Sequence, residues 1–350
     1  MKYRSNNWFR PNKNRKNSGM KRLKCSILMV LFLSAMVPHA GAEDEQKIRL
    51  LIDSDANNET DDQHAIAYAL LSKGSFDVEG LTVNKTHNGG DVDEQMAEAV
   101  RVVKLCGFYP QLPMFKGANG SFAGILPHIH EDSYDGKEAV DFIITQAKKK
   151  SDRKLVLLPI GKLTNIALAL AKNPSIIPNV RIVWLGSNYP RPGEYNMTAD
   201  LTCIDYVLSL PVDFEMVTVR YNDPSGSWGV KAFQQDIFDK MPGKGPKVDL
   251  SIEGRHGGTF TTFGDYSVSL YRHAPQHGDP PFRSFFDATA VAILKNPGFG
   301  QAVEVPRPAL HNRGWVDRPK NPLKMVLWEG FDSAAIMQDF YNVIDAATPK

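Results

Sequence analysis

The chain has 350 residues, 42% hydrophobic and 23% charged, which is an ordinary globular composition with enough apolar residues for a large core. Its formal net charge is +2, but residues 1–42 hold nine of the 41 basic residues and no acid, which leaves 32 basic against 39 acidic residues and a net charge of −7. Such a mildly acidic chain is a poor candidate for nucleic-acid binding, and its two remaining cysteines, Cys106 and Cys203, are too few for a disulfide scaffold or a zinc site.

The N-terminal segment has the layout of a secretory signal peptide. Residues 20–24 are basic, residues 26–37 are apolar, and residues 40–42 form a small-residue cleavage site. The apolar run is too short to span a bilayer comfortably, which favours cleavage over an uncleaved anchor. We therefore predict a signal peptide over residues 1–42, with Met20 as a candidate true start, a secreted or periplasmic location, and no membrane attachment after cleavage.

Strand-like and helix-like segments alternate from residue 43 onwards. Strands are predicted at 48–53, 77–83, 112–117, 154–160 and 180–186. Helices are predicted at 61–73, 93–106, 136–149, 163–172 and 199–210. Continuous apolar strands separated by helices imply an α/β fold, a mostly parallel open sheet covered by helices on both faces, with a Rossmann-like core. We predict one domain over residues 43–350, since no repeat or low-complexity linker divides it.

The segment 222–284 interrupts this alternation and is rich in Gly, Pro, His and aromatic residues. Long insertions in compact α/β domains often form lids or substrate walls, which is the interpretation we favour. The alternative is a structural wrap or an oligomer contact.

Five acidic residues are crowded between the first strand and the first helix, in the run "LLIDSDANNETDDQHAIAYALL": Asp53, Asp55, Glu59, Asp61 and Asp62. Ligands of parallel α/β sheets bind beyond the carboxyl ends of the strands. Burial there raises carboxylate pKa values unless a cation compensates, and a hard divalent metal with oxygen ligands does so most simply. A single aspartate at a helix start is usually a cap, but the whole set favours a metal or substrate site.

Three later segments also present polar groups after predicted strands. The run "LLPIGKLTN" puts the Ile160 carbonyl at a strand end, where it could ligate a metal. The run "GEYN" presents Glu194 and Asn196 two positions apart, and "FDATAVAIL" presents Asp287 at the start of an apolar helix. Each signal is weak alone, because a lone Asp before a helix is usually a cap.

In this order the motifs resemble those of the inosine–uridine-preferring nucleoside hydrolases, over roughly residues 47–300. "DSDANNETDD" stands for the family's Asp-Thr-Asp-Pro-Gly-x-Asp-Asp, "GKLTNIALAL" for "GPLTNLALAL", "GEYN" for "AEFN" and "FDATAVA" for "HDPLAVA". Two features depart from the family. The first loop is two residues longer, which leaves Asn57, Asn58 and Glu59 without clear counterparts, and Phe286 stands where a catalytic histidine is common.

The resemblance implies a calcium site and a ribose site. The implied calcium ligands are Asp55, Asp62, the Ile160 carbonyl and Asp287. The implied ribose contacts come from Asp61, Glu194, Asn196 and Asp287. The family's further ribose-binding asparagine corresponds to Asn84 or Asn88, of which Asn84 is favoured because it lies at the strand end. Similar proteins form homodimers or homotetramers, so a homo-oligomer is also implied.

The implied reaction is hydrolysis of the N-glycosidic bond of a ribonucleoside, or of a related N-ribosyl compound, to free base and ribose. Asp55 would be the general base for a metal-bound water. With Phe286 in place of the histidine, the acid for the leaving base must come from elsewhere or be absent. Its candidates are His256, Tyr271, His273 and His277. Aromatic stacking by Phe286, Trp228 or Tyr271 is the alternative.

Two other functions compete with this interpretation. The long first loop and the missing histidine favour a catalytically impaired homologue that only binds nucleoside or ribose. The Asp-x-Asp sequence also resembles that of the magnesium-dependent haloacid-dehalogenase-type phosphatases, with Asp53 as nucleophile and Lys162 as partner. The phosphatase interpretation leaves Asp61, Asp62 and the later motifs unexplained.

Overall fold

A computed structural model describes residues 47–58 and 60–349 of the protein. Its strands are β1 (Ile48–Ser54), β2 (Phe76–Val83), β3 (Met114–Lys116), β4 (Leu155–Pro159), β5 (Val180–Leu185), β6 (Asp213–Val217), β7 (Lys231–Phe233), β8 (Ile252–Glu253), β9 (Thr259–Phe260), β10 (Phe282–Ser284), β11 (Gln301–Pro306), β12 (Ala309–His311), β13 (Gly314–Val316) and β14 (Lys324–Glu329). Its helices are α1 (Thr60–Leu71), α2 (Val92–Leu105), α3 (Phe122–Ile125), α4 (Lys137–Ala147), α5 (Thr164–Lys172), α6 (Tyr195–Ala199), α7 (Leu201–Ser209), α8 (Gln234–Lys240), α9 (Phe263–His273), α10 (Phe286–Lys295) and α11 (Ser333–Ala346). The predicted signal peptide and Glu59 lie outside the described residues, so the leader and the export of the protein stay predictions.

The central sheet has the strand order β11-β14-β6-β5-β4-β1-β2-β3. Its neighbouring strands are parallel except for β11, which pairs antiparallel with β14 at one edge. The predicted α/β architecture with a mostly parallel sheet is therefore confirmed.

The strands are apolar throughout because the sheet is buried on both faces. Along β1, Leu50 and Ile52 belong to one hydrophobic core, and Leu51, which points to the opposite face, belongs to the other. Apolar residues of α1, α2, α9, α10 and α11 fill the first core, whereas those of α3, α4, α5 and α7 fill the second. The prediction that helices cover both faces is thus correct.

Element bounds predicted from the sequence agree with the structure to within about two residues, with one exception. The helix predicted at 199–210 is two helices, α6 and α7. The break lies at Asp200, which has an extended backbone and whose carboxylate accepts a hydrogen bond from the Thr202 N–H. The carboxylate thus caps a new helix instead of continuing the old one.

The segment 222–284 folds into β7 to β10 with α8 and α9. Part of it packs into the core and part of it borders a cavity, whereas its role as a lid, a substrate wall or an oligomer contact stays a prediction. Helix α9 buries Phe263, Tyr266 and Tyr271 against the first core. Trp228 and His277, at either end of the segment, line a cavity described below. The described part of the chain contains no helix that is both apolar and long enough to cross a bilayer.

The order of the strands places a crevice between β1 and β4. From β1 the chain proceeds to β2 and β3 on one side, and it then returns to β4 on the other side. This reversal is a topological switch point, where the loops that follow two neighbouring strands diverge and leave room for a ligand. The residues after β1 and after β4, Asp55 and Ile160, therefore flank the crevice.

Candidate active site

A cavity of about 320 Å³ opens beside this switch point. Small-molecule sites commonly have volumes of about 300–1,000 Å³. Carboxylates at the starts of α1 and α10, polar groups that follow β4 and β5, and aromatic side chains between residues 221 and 286 line the wall. The cavity thus combines charged and aromatic surfaces at the carboxyl edge of the sheet.

Three buried carboxylates converge in this cavity. Asp61 and Asp62 lie in the first turn of α1, and Asp287 lies in the first turn of α10. One oxygen of each lies within 4.8 Å of the other two. The Asp287 N–H donates to Asp61 Oδ2 at 3.2 Å, and the Ser54 hydroxyl donates to Asp62 Oδ1 at 2.7 Å. The positive ends of two helix dipoles reduce the repulsion between the carboxylates.

The donor set fits a hard divalent cation. All three carboxylates are buried, and such cations prefer oxygen ligands. The Ile160 carbonyl belongs to the same cavity wall and accepts a hydrogen bond from Asn196 Nδ2 at 3.0 Å, which leaves it a second lone pair. The structure thus brings Asp62, Asp287 and Ile160 together, and it adds Asp61 to the group.

Asp55 stands apart from these three carboxylates. It is 1% exposed, and its Oδ2 accepts a hydrogen bond from the Thr86 hydroxyl, whereas its Oδ1 has no hydrogen-bond partner among the described residues. Burial raises the pKa of Asp55 to about 7; the Thr86 hydrogen bond opposes this shift, and the nearby Asp61 and Asp53 add to it. Asp55 is not among the residues that line the cavity. A buried oxygen without a partner requires an explanation, and a water or a cation beside Asp55 would supply one.

Asp53 is a structural residue inside the sheet. Its carboxylate accepts hydrogen bonds from Thr82 Oγ1 at 2.6 Å, Asn165 Nδ2 at 2.7 Å and Asn84 Nδ2 at 3.0 Å, and it does not line the cavity. Burial raises the pKa of Asp53 to about 6, which the three hydrogen bonds oppose. The nucleophile required by the phosphatase interpretation is thus fully engaged in other bonds. Lys162, its supposed partner, donates to the Gly120 and Asn119 carbonyls.

Glu194 and Asn196 both line the cavity, as their spacing predicts. Glu194 has a φ of 135°, in a region that favours glycine, so its side chain is retained at a cost in backbone strain. Its carboxylate accepts hydrogen bonds from the N–H groups of Ser187, Asn196 and Met197, which hold it rigidly. Burial raises the pKa of Glu194, and these backbone hydrogen bonds oppose that shift.

Neither of the two candidate asparagines lines the main cavity. Asn84 is fully buried, and its Nδ2 donates a hydrogen bond to Asp53. Its Oδ1 accepts no hydrogen bond from any described residue. Its Oδ1 and Asp55 Oδ1 flank Gly161 from the same side. Asn88 is exposed and borders a neighbouring cavity. The position of Asn84 beside Asp55 favours it over Asn88, but its contact with ribose stays a prediction.

An aromatic wall closes another side of the cavity. The Trp228 ring centroid lies 6.1 Å from that of Phe286, 6.0 Å from that of Tyr221 and 5.3 Å from that of His277. His277 is the one imidazole among the described residues that border this cavity. His256 and His273 border the neighbouring cavity, and Tyr271 is buried in the first core, where burial raises the pKa of its hydroxyl. The structure therefore separates His277 from the other three acid candidates.

Two residues of the site escaped the sequence analysis. Thr86 orients the Asp55 carboxylate, and its Oγ1 lies 3.3 Å from the Tyr195 hydroxyl, which in turn accepts from the Asn88 N–H at 2.8 Å. A signal for Tyr195 existed, since "GEYN" has a tyrosine where the family's "AEFN" has a phenylalanine. Thr86 had none, because it reaches Asp55 only through the pairing of β1 with β2.

Comparisons with known proteins agree with this geometry. A family model described as inosine-uridine preferring nucleoside hydrolase matches residues 50–337. An uncharacterized protein of Schizosaccharomyces pombe is 28% identical over 194 residues, 49% of this chain and 60% of that protein. A pyrimidine-specific ribonucleoside hydrolase of Escherichia coli is 32% identical over 188 residues, 52% of this chain and 53% of that protein. The match thus spans little more than half the length of these curated relatives.

Solved structures share the fold. A plant nucleoside hydrolase aligns with a TM-score of 0.64 and 16% identity, covering 85% of this chain and 99% of that one. A purine-preferring ribonucleoside hydrolase from Gardnerella vaginalis aligns with a TM-score of 0.63 and 20% identity, with the same coverage. At such identities the likeness supports the fold, and the chemistry rests on the residues of this chain.

Proposed function

This chain belongs to the inosine-uridine preferring nucleoside hydrolase family, and we propose that it hydrolyses the N-glycosidic bond of ribonucleosides to free base and ribose. The observation that carries the proposal is the convergence of Asp61, Asp62 and Asp287 in a cavity large enough for a nucleoside. The transition state of such a reaction resembles an oxocarbenium ion, so buried carboxylates would stabilise its growing positive charge. The proposal also covers hydrolysis of the N-glycosidic bond of a related N-ribosyl compound.

We assign the cation site to Asp62, Asp287 and the Ile160 carbonyl, which line the cavity, and to Asp55 as the further ligand that the family resemblance implies; the expected ion is calcium. Calcium accepts six to eight oxygen ligands in flexible geometry, which suits donors contributed by several loops. When bound, the ion would lower the pKa of a coordinated water and orient the vicinal ribose hydroxyls. Asp61, Glu194 and Asn196 would hold the ribose by hydrogen bonds, with Asn84 as a further contact.

Asp55 would take the proton from the attacking water. Its unpartnered Oδ1 is the oxygen available for that proton, and the Thr86 hydrogen bond to Oδ2 fixes the direction of the carboxylate. Burial raises the pKa of Asp55, which would strengthen the carboxylate as a base, whereas a bound cation would shift that pKa in the opposite direction. Calcium is a weak Lewis acid, so a carboxylate base would complement it.

The departing base would contact the aromatic wall and His277. Phe286 and Trp228 offer flat apolar surfaces on which a base can stack, and the His277 imidazole lies beside Trp228. The backbone of His277 is held in place by a two-way bridge to Phe282, with N···O distances of 2.8 and 2.9 Å. We assign His277 as the donor that protonates the leaving base.

Replacing His277 with glutamine is expected to lower kcat by about 100-fold, the usual contribution of a general acid, since glutamine cannot supply a titrating proton. Steady-state release of free base measures the effect. The matched control is His128→Gln, an exposed histidine far along the chain that does not border the cavity. A kcat for His277→Gln within twofold of wild type would mean that the base leaves by stacking alone.

The proposed function is tested by incubating the mature chain with a panel of purine and pyrimidine ribonucleosides in calcium buffer and measuring free base. Release of base from at least one nucleoside is the expected outcome. Tight nucleoside binding by calorimetry without any release would support the impaired, binding-only homologue instead. Hydrolysis of p-nitrophenyl phosphate without base release would revive the phosphatase interpretation.

A further inference from the structure

Tyr195 connects three loops at the carboxyl edge of the sheet. It is half-buried, borders the main cavity and begins α6, after the loop that follows β5. Its hydroxyl accepts a hydrogen bond from the Asn88 N–H at 2.8 Å and lies 3.3 Å from Thr86 Oγ1, and both of these residues belong to the loop after β2. The Thr86 hydroxyl in turn donates to Oδ2 of Asp55, in the loop after β1. A continuous path of polar contacts thus runs from Tyr195 to Asp55.

The protons along this path can point in one direction only. A backbone N–H can only donate, so the Tyr195 oxygen is the acceptor for Asn88. Thr86 has one hydroxyl proton, and an ionised carboxylate can only accept, so that proton belongs to the bond with Asp55. The Tyr195 hydroxyl therefore donates its own proton to Thr86 Oγ1. Hydrogen bonds that run in one direction polarise one another, so the loss of one weakens the next.

The ring of Tyr195 is held independently of its hydroxyl. His87 packs against it edge to face, with ring centroids 5.1 Å apart and planes inclined by 84°. His87 Nε2 also lies 3.3 Å from Thr198 Oγ1, one turn further along α6. Burial raises the pKa of Tyr195 to about 12, so its hydroxyl keeps the proton that it donates. Removal of the hydroxyl alone would therefore break the path and leave the ring in place.

We propose that Tyr195 is a positioning residue, whose hydroxyl fixes Thr86 and thereby the carboxylate of Asp55. The inference rests on the proposed function, in which Asp55 is the base. Among the described side chains, Thr86 is the one that donates a hydrogen bond to Asp55. A Thr86 hydroxyl free to rotate would release Oδ2 and misdirect Oδ1, the oxygen that takes the proton, and a small misplacement of a reacting group lowers the rate.

The variant that tests this role is Tyr195→Phe, which removes only the hydroxyl. We expect kcat to fall about three- to tenfold, the effect of one neutral hydrogen bond, with KM within twofold of wild type, because the lost bond acts on the base and not on the substrate. The matched control is Tyr206→Phe, in α7, which removes the same group from a ring that stacks on Phe122 outside the main cavity. Its kcat and KM should both stay within twofold of wild type.

A double-mutant cycle separates action through Thr86 from direct contact between Tyr195 and the substrate. In a Thr86→Val background the path is already cut, so Tyr195→Phe should change kcat less than twofold. In a Thr86→Ser background the hydroxyl is kept, and the loss of about three- to tenfold should return. An unchanged kcat in Tyr195→Phe, or an equal loss in the valine and serine backgrounds, overturns the inference.

Amide exchange measured by NMR tests the same path without turnover and without a change at Thr86. Asn88 is exposed, and its N–H is hydrogen-bonded to the Tyr195 hydroxyl. The exchange rate of this N–H should rise roughly tenfold in Tyr195→Phe and stay unchanged in Tyr206→Phe. Equal exchange in wild type and Tyr195→Phe overturns the inference. If wild type releases no base, the proposed function and the role at Asp55 fail together, whereas faster exchange in Tyr195→Phe still establishes the link between the loops.

Discussion

Asp55→Asn is expected to lower kcat for nucleoside hydrolysis by about 10²- to 10⁴-fold, the range lost with a general base. The amide is nearly the size of the carboxylate, so its oxygen can still accept the Thr86 hydrogen bond. The amide nitrogen then takes the place of Oδ1, the oxygen without a partner, and it cannot accept a proton. Saturation kinetics measure the loss, and an unchanged melting temperature shows that the fold survives.

The matched control for this prediction is Asp213→Asn. Asp213 begins β6, at the opposite end of the sheet, where its exposed side chain pairs with Lys154 at 2.6 Å. Exposed ion pairs contribute only about 0–1 kcal/mol to the free energy of unfolding, so the control should fold as wild type does. We therefore expect its kcat to stay within twofold of wild type. Turnover by Asp55→Asn within tenfold of wild type would remove Asp55 from the role of base.

A second variant moves Asp55 without changing its charge. A Cβ at Gly161 would lie 2.8 Å from Asp55 Oδ1 and 2.8 Å from Asn84 Oδ1, closer than real contacts allow. Gly161→Ala should therefore displace Asp55 Oδ1 and lower kcat in the same direction as Asp55→Asn. Gly74→Ala is its control, because a Cβ there meets no heavy atom within 4 Å.

Removal of the proposed cation is expected to abolish hydrolysis and to lower the melting temperature together. Without the ion, Asp61, Asp62 and Asp287 repel one another in a buried site, since one oxygen of each lies within 4.8 Å of the others. A ligand present at a thousandfold excess over its Kd stabilises the folded state by about 4 kcal/mol, which corresponds to a shift of roughly 5–10 °C. Dialysis against EDTA, followed by a melting curve and an activity assay, measures both effects.

The variant that isolates the cation site is Asp62→Asn. Its amide oxygen can still accept from the Ser54 hydroxyl, but one negative charge leaves the site. Its melting temperature should respond to EDTA much less than that of wild type, whereas Asp213→Asn should respond as wild type does. Restoration of activity by calcium, and less well by magnesium, would support the predicted ion. An unchanged melting curve and full activity after EDTA would exclude a resident cation from the mechanism.

Much of the candidate site could be predicted from residue order. The motifs around Asp62 and Ile160 follow β1 and β4 of the parallel sheet, and the carboxyl ends of such strands meet at one edge. Asp287 follows β10, which pairs antiparallel with β7 in a separate two-stranded sheet, so its contact with Asp61 through the Asp287 N–H depends on the docking of α10. The same reasoning could not assign Thr86 or Tyr195, because their contacts with each other depend on the loop conformations after β2 and β5.

The candidate acids illustrate the limit more clearly. His256 comes from the turn before β9 and His273 from the end of α9, inside a segment whose composition predicted a lid or a substrate wall, or else a structural wrap or an oligomer contact. Sequence reasoning weighed His256, His273 and His277 as equivalent acid candidates. The fold of this segment places His256 and His273 at a second cavity, whereas His277 lies beside Trp228.

The sequence by itself determined the layered α/β architecture, the order of the strands and helices from residue 47 to about 210, and the family. Local hydrophobic periodicity and strand-end motifs carry that information within short windows. Only the tertiary structure decided that Asp53 is bonded on all sides inside the sheet, whereas Asp55, two positions later, keeps one buried oxygen without a hydrogen-bond partner among the described residues. The difference arises because Thr82, Asn84 and Asn165 reach Asp53 through the pairing of β1 with β2 and the docking of α5, which are long-range contacts that no local pattern encodes.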